Sequence, residues 1–130
     1  MPLRRRQNNF APRVPSGLIA HTEKGYFLMK GAKRFQFTST RARLSWGLKT
    51  IETTEFSIRN SKVVGFVGFR DGTLIRNIAD NRIYFIADNK KMQITDPDVL
   101  IKLGYKYKDI ILVSAKETAL HKDGGILNVG

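Results

Sequence analysis

The sequence contains no cysteine. This absence excludes disulfide bonds, thiolate metal sites and thiol catalysis. Long apolar runs are also missing, because the longest one, residues 110–113, has only the length of a β-strand. A transmembrane helix needs roughly 18 consecutive apolar residues. We therefore expect no membrane partner for this chain.

Histidine is scarce, and its two positions do not form a recognisable catalytic or metal-binding motif. Neither His21 nor His121 lies in an HxH or HExxH pattern. His121, Ser114 and Asp123 have the residue types of a catalytic triad, but their spacing gives no support for one, and His121 is predicted to lie at the surface. The glycine patterns of phosphate-binding loops are absent as well. The sequence therefore predicts no catalytic residue, no metal and no cofactor, and so a protein that is not an enzyme.

Acidic residues are few, and their deficit is concentrated in one half of the chain. The sequence has 11 Asp and Glu against 23 Lys and Arg, which gives a net charge of +12. Residues 1–64 carry 13 basic and 3 acidic side chains, whereas residues 65–130 carry 10 and 8. This asymmetry indicates that one face or arm contacts a polyanion or an acidic protein surface. A soluble domain with a basic tail is the alternative.

The first 16 residues are predicted to form a basic arm. Prolines interrupt the amphipathic helix that a mitochondrial presequence requires, and no apolar segment of a secretory signal follows the arginines. The protein is therefore expected to act where it is made. An arm of this composition does not fold alone. Its own domain could hold it, but we expect a neighbouring subunit or, alternatively, nucleic acid to do so. The arm residues predicted to make this contact are Arg4, Arg5, Arg6, Phe10 and Arg13.

An internal repeat with an offset of 57 positions runs through the rest of the chain. KRFQFT at 33–38 is echoed by KKMQIT at 90–95, and WGLK at 46–49 by LGYK at 103–106. A constant offset over this length indicates one supersecondary unit that is used twice. We therefore divide the chain into the arm 1–16, a first repeat 17–70 and a second repeat 71–130. We expect the two repeats to pack as one body.

The second repeat has the clearer local signals. Alternating apolar residues predict three strands, at 73–78, 82–87 and 90–95, joined as an antiparallel meander with a tight turn at Asp88-Asn89. Asp96 as N-cap and Pro97 at the first helical position then begin a short helix, which Gly104 ends. Further elements follow: a strand at 110–114, a helical turn opened by a capping box at Ser114 and Glu117, and a closing turn at 123–125.

The first repeat follows the same plan with weaker signals. Its strands are predicted at 18–21, 26–30, 33–38 and 51–57, with a short helix that ends at Gly47. The apolar, glycine-spaced segment 63–69 is predicted to be a buried strand that joins the repeats. The resulting fold class is α+β, with two tandem repeats that each contain a short antiparallel β-meander, a short helix and a further strand.

The second repeat resembles a recurrent bacterial and phage repeat. That repeat starts with a DGTL-type turn, continues through VYLI and GKKRxI strands and a proline-led helix ending in LGY, and closes with a DVVxVS strand. Here the corresponding segments read DGTLI at 71–75, IYFI at 83–86, NKKMQI at 89–94, LGY at 103–105 and DIILVS at 109–114. The first repeat lacks the DG start and the proline. The resemblance implies a non-catalytic module of surface or virion proteins.

With its basic arm, the chain is most similar to a small structural protein of a phage virion, in tail, baseplate or capsid. The implied partners are other virion proteins and copies of itself in a symmetric assembly, and the implied location is the virion. The +12 charge supports an alternative, a small basic nucleic-acid-binding protein. Beyond the arm, we predict partner or anion contacts at Lys33, Arg34, Arg41 and Arg43. For Lys33 the alternative is a charge that guards a strand edge, because Lys90 recurs at the same repeat position.

Overall fold

The computed structural model describes residues 14–128, which divide into two compact units. Within the described residues, the first unit contains 14–38 and 47–67, and the second contains 39–46 and 68–128. None of the helices in this part of the chain has the length and hydropathy that a membrane span requires. The prediction that the two repeats pack as one body stays a prediction.

The first unit is a five-stranded sheet. Its strands are β1 (Ile19–Thr22), β2 (Gly25–Lys30), β3 (Lys33–Phe37), β4 (Thr50–Glu52) and β5 (Lys62–Val67). Their order in the sheet is β4-β1-β2-β3-β5. The three central strands form an antiparallel meander, while β4 runs parallel to β1 and β5 runs parallel to β3. The two edge strands of the sheet therefore come from later in the chain than the strands they pair with.

The second unit repeats this topology. Its elements are α1 (Thr40–Ser45), β6 (Leu74–Asn77), β7 (Ile83–Ala87), β8 (Lys90–Ile94), α2 (Pro97–Lys102), a 3-10 helix (Tyr107–Asp109), β9 (Ile111–Val113), α3 (Ala115–Thr118) and β10 (Lys122–Ile126). The strand order is β10-β8-β7-β6-β9, again an antiparallel meander between two parallel edge strands. The predicted α+β class with two similar sheet units is confirmed.

Local turn and cap chemistry explains why the predicted elements of the second unit form. Asp88 and Asn89 have φ values of 53° and 62°, which is the left-handed conformation of a tight hairpin turn. The Asp96 carboxylate accepts a hydrogen bond from the backbone N–H of Asp98. Ser114 and Glu117 form the predicted reciprocal capping box at the start of α3. Each of these signals acts within a few residues of sequence.

The two outer strands correct the sequence predictions. Residues 123–125 do not form a closing turn; they lie in β10, which pairs with β8. The segment 63–69 is not a buried strand, because its first part belongs to the edge strand β5, where several side chains are exposed. The strand predicted at 51–57 ends at Glu52. Parallel edge pairing is non-local, so no neighbouring residue in sequence signals it.

Helix α1 comes from the first repeat in sequence but belongs to the second unit by its contacts. Its only buried residue, Ala42, packs in a cluster with Phe69, Ile75 and Tyr84. The Trp46 indole N–H donates to the carbonyl of Gly68 at 2.9 Å. Hydrophobic burial and this hydrogen bond together hold α1 in the second unit.

Both faces of the second sheet carry apolar clusters. On one face, Ile75, Tyr84, Ile86 and Val113 pack with Phe69 and Ala42. On the other face, Leu74 and Ile94 pack with Val99 and Leu100 of α2. In the first unit, one face of the sheet packs Ala20, Phe27 and Met29 with Ile58 from the turn after β4. These clusters fix the registers that place the surface described next.

Candidate docking edge on the first sheet

The outer side of β5 is the least protected sheet edge in the described part of the chain. The edge strands β4 and β9 have three residues each, and β10 contains Gly124-Gly125, a charged Asp123 and a register irregularity. Short length, charge and irregular pairing are features that discourage an edge from pairing with another chain. β5 also has one register irregularity, but it has six residues, and its only charged residue, Lys62, stands at its start. We call the outer side of β5 the docking edge.

Large apolar side chains are exposed along this edge. Val63 and Val64 are each 49% exposed, and Phe66 is 69% exposed. Since β3 is the one strand among residues 14–128 that pairs with β5, alternate backbone N–H and C=O groups of β5 point away from the sheet. The docking edge therefore combines unpaired backbone hydrogen-bonding groups with apolar surface.

The strand registers place Val63 and Phe66 on one face of the sheet, and Lys62, Gly65 and Val67 on the other. Val63 lies opposite Arg34, and Phe66 lies opposite Gln36, on the face that carries Phe27. Lys62 lies opposite Lys33, which in turn lies opposite Lys30 on β2. Because paired residues on neighbouring strands point to the same face, and successive residues to opposite faces, these three lysines share the other face.

We call Lys30, Lys33 and Lys62 the lysine row. All three are exposed, and none forms an ion pair with a residue in the range 14–128. Like charges directly opposite each other on adjacent strands destabilise a sheet. The arrangement recurs in part in the second unit, where Lys90 lies opposite Lys122. A row of uncompensated cations is typical of a surface that meets an anionic partner.

A bulge interrupts the pairing of β5 with β3. Val63 pairs with Arg34 and Gly65 with Phe35, so Val64 is the extra residue. Bulges can protect an edge by twisting it. Here the residues after the bulge return to regular register through Val67, which leaves a continuous stretch available on the outer side.

The structure removes Arg34 from the predicted contact residues. Its side chain is buried, and its guanidinium makes two hydrogen bonds, of 2.8 and 2.7 Å, to the carboxylate of Glu55. A further hydrogen bond runs to the Ser61 carbonyl, and the guanidinium lies over the Phe27 ring. The hydrogen bonds from Arg34, which outweigh the opposing effect of burial, lower the pKa of Glu55. Arg34 is therefore a structural cation, and the prediction of an external contact is wrong for it.

The second unit keeps a counterpart of this buried cation. Lys91, 57 positions after Arg34, lies over the Tyr84 ring, which is 57 positions after Phe27. Its ammonium donates to the carbonyls of His121 and Thr118. In both units the cation thus ties the meander to the residue just before the last strand. The offset of 57 positions already relates Arg34 to Lys91 and Phe27 to Tyr84, but the shared role of the two cations was not predicted from it.

The other predicted contact residues lie at different places. Lys33 belongs to the lysine row. Arg41 on α1 forms an ion pair of 2.8 Å with Glu117, so it has a partner within the second unit, although it stays exposed. Arg43 is half-buried in the last turn of α1. The predicted arm residues lie outside the described residues, and their role stays a prediction: Arg4, Arg5, Arg6, Phe10 and Arg13.

The histidines have structural partners. His121 was predicted to lie at the surface, but its side chain is buried, with only 3% of the residue exposed. Its Nε2 accepts from the backbone N–H of Phe69, and its Nδ1–H donates to the carbonyl of Asn89. Burial lowers the pKa of His121, and the nearby Lys91 ammonium acts in the same direction. His21 lies 2.8 Å from the Glu52 carboxylate and stacks on Tyr26.

Most of the docking edge was not predicted. Lys30, Lys62, Val63 and Phe66 were not among the predicted contact residues. KVVGFV at 62–67 is an apolar run with a glycine, which is typical of a buried strand. Only the lysine at its start indicated that one end of this strand is exposed.

Among the residues 14–128, no group of three or more histidine, aspartate and glutamate side chains is placed to hold a metal ion. No protein-family model, no curated protein and no solved structure matches this chain.

Proposed function

We propose that the protein is a non-enzymatic structural component of a phage virion. It joins neighbouring subunits in the tail, baseplate or capsid through the docking edge and the basic arm, residues 1–16. The observation that supports the joining role is the six-residue edge strand β5 with its exposed Val63 and Phe66. The virion setting comes from the resemblance of the repeat. The expected partners are other virion proteins and further copies of this chain.

The energetics of the edge favour association. Complete burial of a Val or Phe side chain is worth roughly 1.5–3 kcal/mol. Each backbone hydrogen bond to an added strand contributes about 0.5–1.5 kcal/mol. A partner that covers Val63 and Phe66 and pairs with β5 would therefore gain enough to offset part of the entropy lost on association.

The repeated topology suits a role as a connector. Both sheets end in parallel outer strands, β5 in the first unit and β10 in the second, and among residues 14–128 neither strand has a second neighbour in its sheet. A subunit that combines the docking edge with the basic arm can contact more than one neighbour. Heterologous contacts of this kind build rings or helical tubes in symmetric assemblies.

The test is incorporation into particles. Phe66→Lys places a charge on the docking edge, and Ile101→Lys is the matched control, because Ile101 is 70% exposed on α2. Tagged variants would be expressed during particle assembly, and their amount in purified particles compared with wild type. We expect Phe66→Lys to fall at least about tenfold while Ile101→Lys incorporates normally. Equal incorporation of the two variants would contradict the role of the docking edge.

A truncated variant tests the arm. Deletion of residues 1–13 removes the arm arginines but keeps Val14, which packs against the cluster around Ile58, and Ser16, whose hydroxyl accepts from the Gly31 N–H. The shortened chain should keep the wild-type melting temperature and lose incorporation. Normal incorporation would remove the arm from the proposed mechanism.

A nucleic-acid-binding protein is the second candidate, favoured by the uncompensated lysine row and the +12 charge. It predicts DNA or RNA binding that weakens steeply with salt, because phosphate contacts release counterions. Changing Arg4, Arg5 and Arg6 to alanine should reduce the slope of log K against log salt by roughly 3. Absence of binding to oligonucleotides at low salt would eliminate this candidate.

A further inference from the structure

We propose that the occupant of the docking edge is an extended segment of a partner protein that adds a strand to β5, with acidic side chains on one face and apolar side chains on the other. This inference rests on the proposed function, because it names the partner chemistry of the same edge. The backbone groups, the two faces of the edge and its charge each argue for this occupant.

The backbone argues for an added strand. β5 ends its sheet, so its outward N–H and C=O groups can form a ladder only with a chain that comes from outside the first unit's sheet. Main-chain hydrogen bonds provide affinity in strand addition, and alternate side chains provide specificity. The side chains of such a strand would lie next to those of β5 on both faces.

The faces argue for an alternating segment. On the face of Val63 and Phe66, the neighbouring side chains of an added strand meet exposed apolar surface. On the opposite face, at the start of β5, they meet Lys62, the member of the lysine row that lies next to the added strand. An extended peptide presents successive side chains to opposite faces. One strand can therefore satisfy both surfaces at once.

The charge argues for acidic residues on the lysine face. Neighbouring strands are about 4.8 Å apart, so the three lysines span roughly 10 Å across β2, β3 and β5. A fourth strand with Glu or Asp in the same register would place its carboxylate beside Lys62 and relieve the repulsion along the row. β5 itself contains no acidic residue, so a second copy of β5 would bring no compensating charge.

The same geometry disfavours nucleic acid on this edge. Single-stranded nucleic acid binds where bases stack on aromatic rings beside cations that hold the backbone. Here the Phe66 ring and the lysine row lie on opposite faces of the sheet. A single strand of nucleic acid lying on one face cannot use both, whereas an added β-strand can.

The experiment uses the full chain and synthetic peptides. The probe is a capped nine-residue peptide of alternating Val and Glu, and its controls are a Val/Lys peptide and a Val/Glu peptide with alternate amides N-methylated. Binding is measured by fluorescence anisotropy at about 0.05 M and about 0.5 M salt. We expect saturable binding of the Val/Glu peptide alone, weakened by salt.

Charge reversal gives the sharpest variant. The double variant Lys33→Glu/Lys62→Glu should weaken the Val/Glu peptide at least about tenfold and gain affinity for the Val/Lys peptide. The matched control is Lys49→Glu/Lys108→Glu, because both of these lysines are exposed and neither belongs to β5 or to the lysine row. The control should bind like wild type. Phe66→Lys should weaken the peptide as well, through loss of apolar contact and obstruction of the edge.

Any of three binding results would overturn the inference: no binding of the Val/Glu peptide by the wild type, equal binding by the N-methylated peptide, or displacement of the peptide by single-stranded oligonucleotides. A fourth result would also overturn it: dimerisation of the free protein that Phe66→Lys abolishes, because the occupant would then be a second copy.

The failure of this inference can be distinguished from the failure of the proposed function. If Phe66→Lys blocks incorporation but the peptide does not bind, the docking edge stands and the acidic strand is wrong. If the peptide binds but Phe66→Lys incorporates normally, the proposed assembly role fails.

Discussion

The Nε2 atom of His121 accepts a 2.9 Å hydrogen bond from the backbone N–H of Phe69. The other ring nitrogen donates to the carbonyl of Asn89, so the ring is neutral with its proton on Nδ1. A second proton on Nε2 would remove the acceptor of Phe69 and place a buried cation near Lys91. Asp71 is the one acidic group that favours the charged form, and burial outweighs it.

The first prediction is a loss of stability in mild acid. Because the folded state lowers the pKa of His121 below its ordinary value of 6.5, the unfolded chain binds a proton at a higher pH than the folded chain. The free energy of unfolding should therefore be constant above about pH 7 and fall as the pH drops below 6.5. Urea unfolding at several pH values checks this. In His121→Gln the free energy of unfolding should no longer fall between pH 6.5 and about pH 5. If the fall persists in this variant, His121 is not its cause.

The second prediction concerns Gly68, which packs directly against the His121 ring. A Cβ atom at this position would overlap Nε2 and Cε1 of that ring. Gly68→Ala should therefore lower the free energy of unfolding by roughly 1–3 kcal/mol. Gly65→Ala is the control, because its Cβ would meet only the Phe35 ring at 3.8 Å. Chemical denaturation of the two variants measures the difference, and an equal effect of both would show that the contact is tolerant.

The third prediction concerns the buried ion pair in the first unit. Arg34→Ala leaves the Glu55 carboxylate, which is only 18% exposed, without its main partner, and should cost about 3–5 kcal/mol of stability. The double variant Arg34→Met/Glu55→Leu should recover much of that loss, because no uncompensated charge remains. Urea denaturation of wild type, Arg34→Met, Glu55→Leu and the double variant gives the coupling energy. A double variant as unstable as the sum of the single ones would argue against coupling.

The Arg34–Glu55 pair should also make stability depend on pH, here through a carboxylate and not through a histidine. The folded state lowers the pKa of Glu55 below its ordinary value of 4.5, so its contribution is present above pH 4.5 and is lost as the pH falls further. This window lies below that of His121, and the two can be separated in one titration of stability. Glu55→Gln should reduce the lower step and leave the upper one unchanged. Part of the lower step remains because, against the opposing effect of burial, the hydrogen bond from Ser39 lowers the pKa of Glu117 as well.

The fourth prediction sets stability against binding in the lysine row. Lys33 lies between Lys30 and Lys62, and replacing it with glutamate turns two repulsions into attractions. Lys33→Glu should therefore stabilise the free protein by about 0.2–1 kcal/mol per cross-strand pair, even though it weakens docking. Thermal unfolding at low salt checks the sign. A lower melting temperature would mean that the lysines have compensating contacts.

The sequence predicted the elements whose signals are local. The hairpin at Asp88-Asn89, the cap at Asp96 and the capping box at Ser114 depend on residues within a few positions of one another, and all are present. These signals also specify the meander of the second unit, because tight turns set the register of the strands that they join.

What could not be predicted depends on distant partners. β5 and β10 form by parallel pairing with strands that lie tens of residues earlier, so no nearby residue indicates that they lie at the edges of their sheets. The burial of His121 depends on Phe69 and Asn89, which are 52 and 32 residues away. Arg34 was expected outside because arginine is usually exposed, and only the turn after β4 supplies its carboxylate.

The assignment of α1 to the second unit changes what the duplication can be. The chain leaves the first unit after residue 38, returns at 47 and leaves again after 67, so each unit is built from two separate stretches of sequence. A single cut between the repeats would take Ala42 away from the cluster around Phe69. Neither copy can therefore be excised, exchanged or recombined as one contiguous segment. Since the second unit needs α1 from the first repeat, the two copies had to be inherited together.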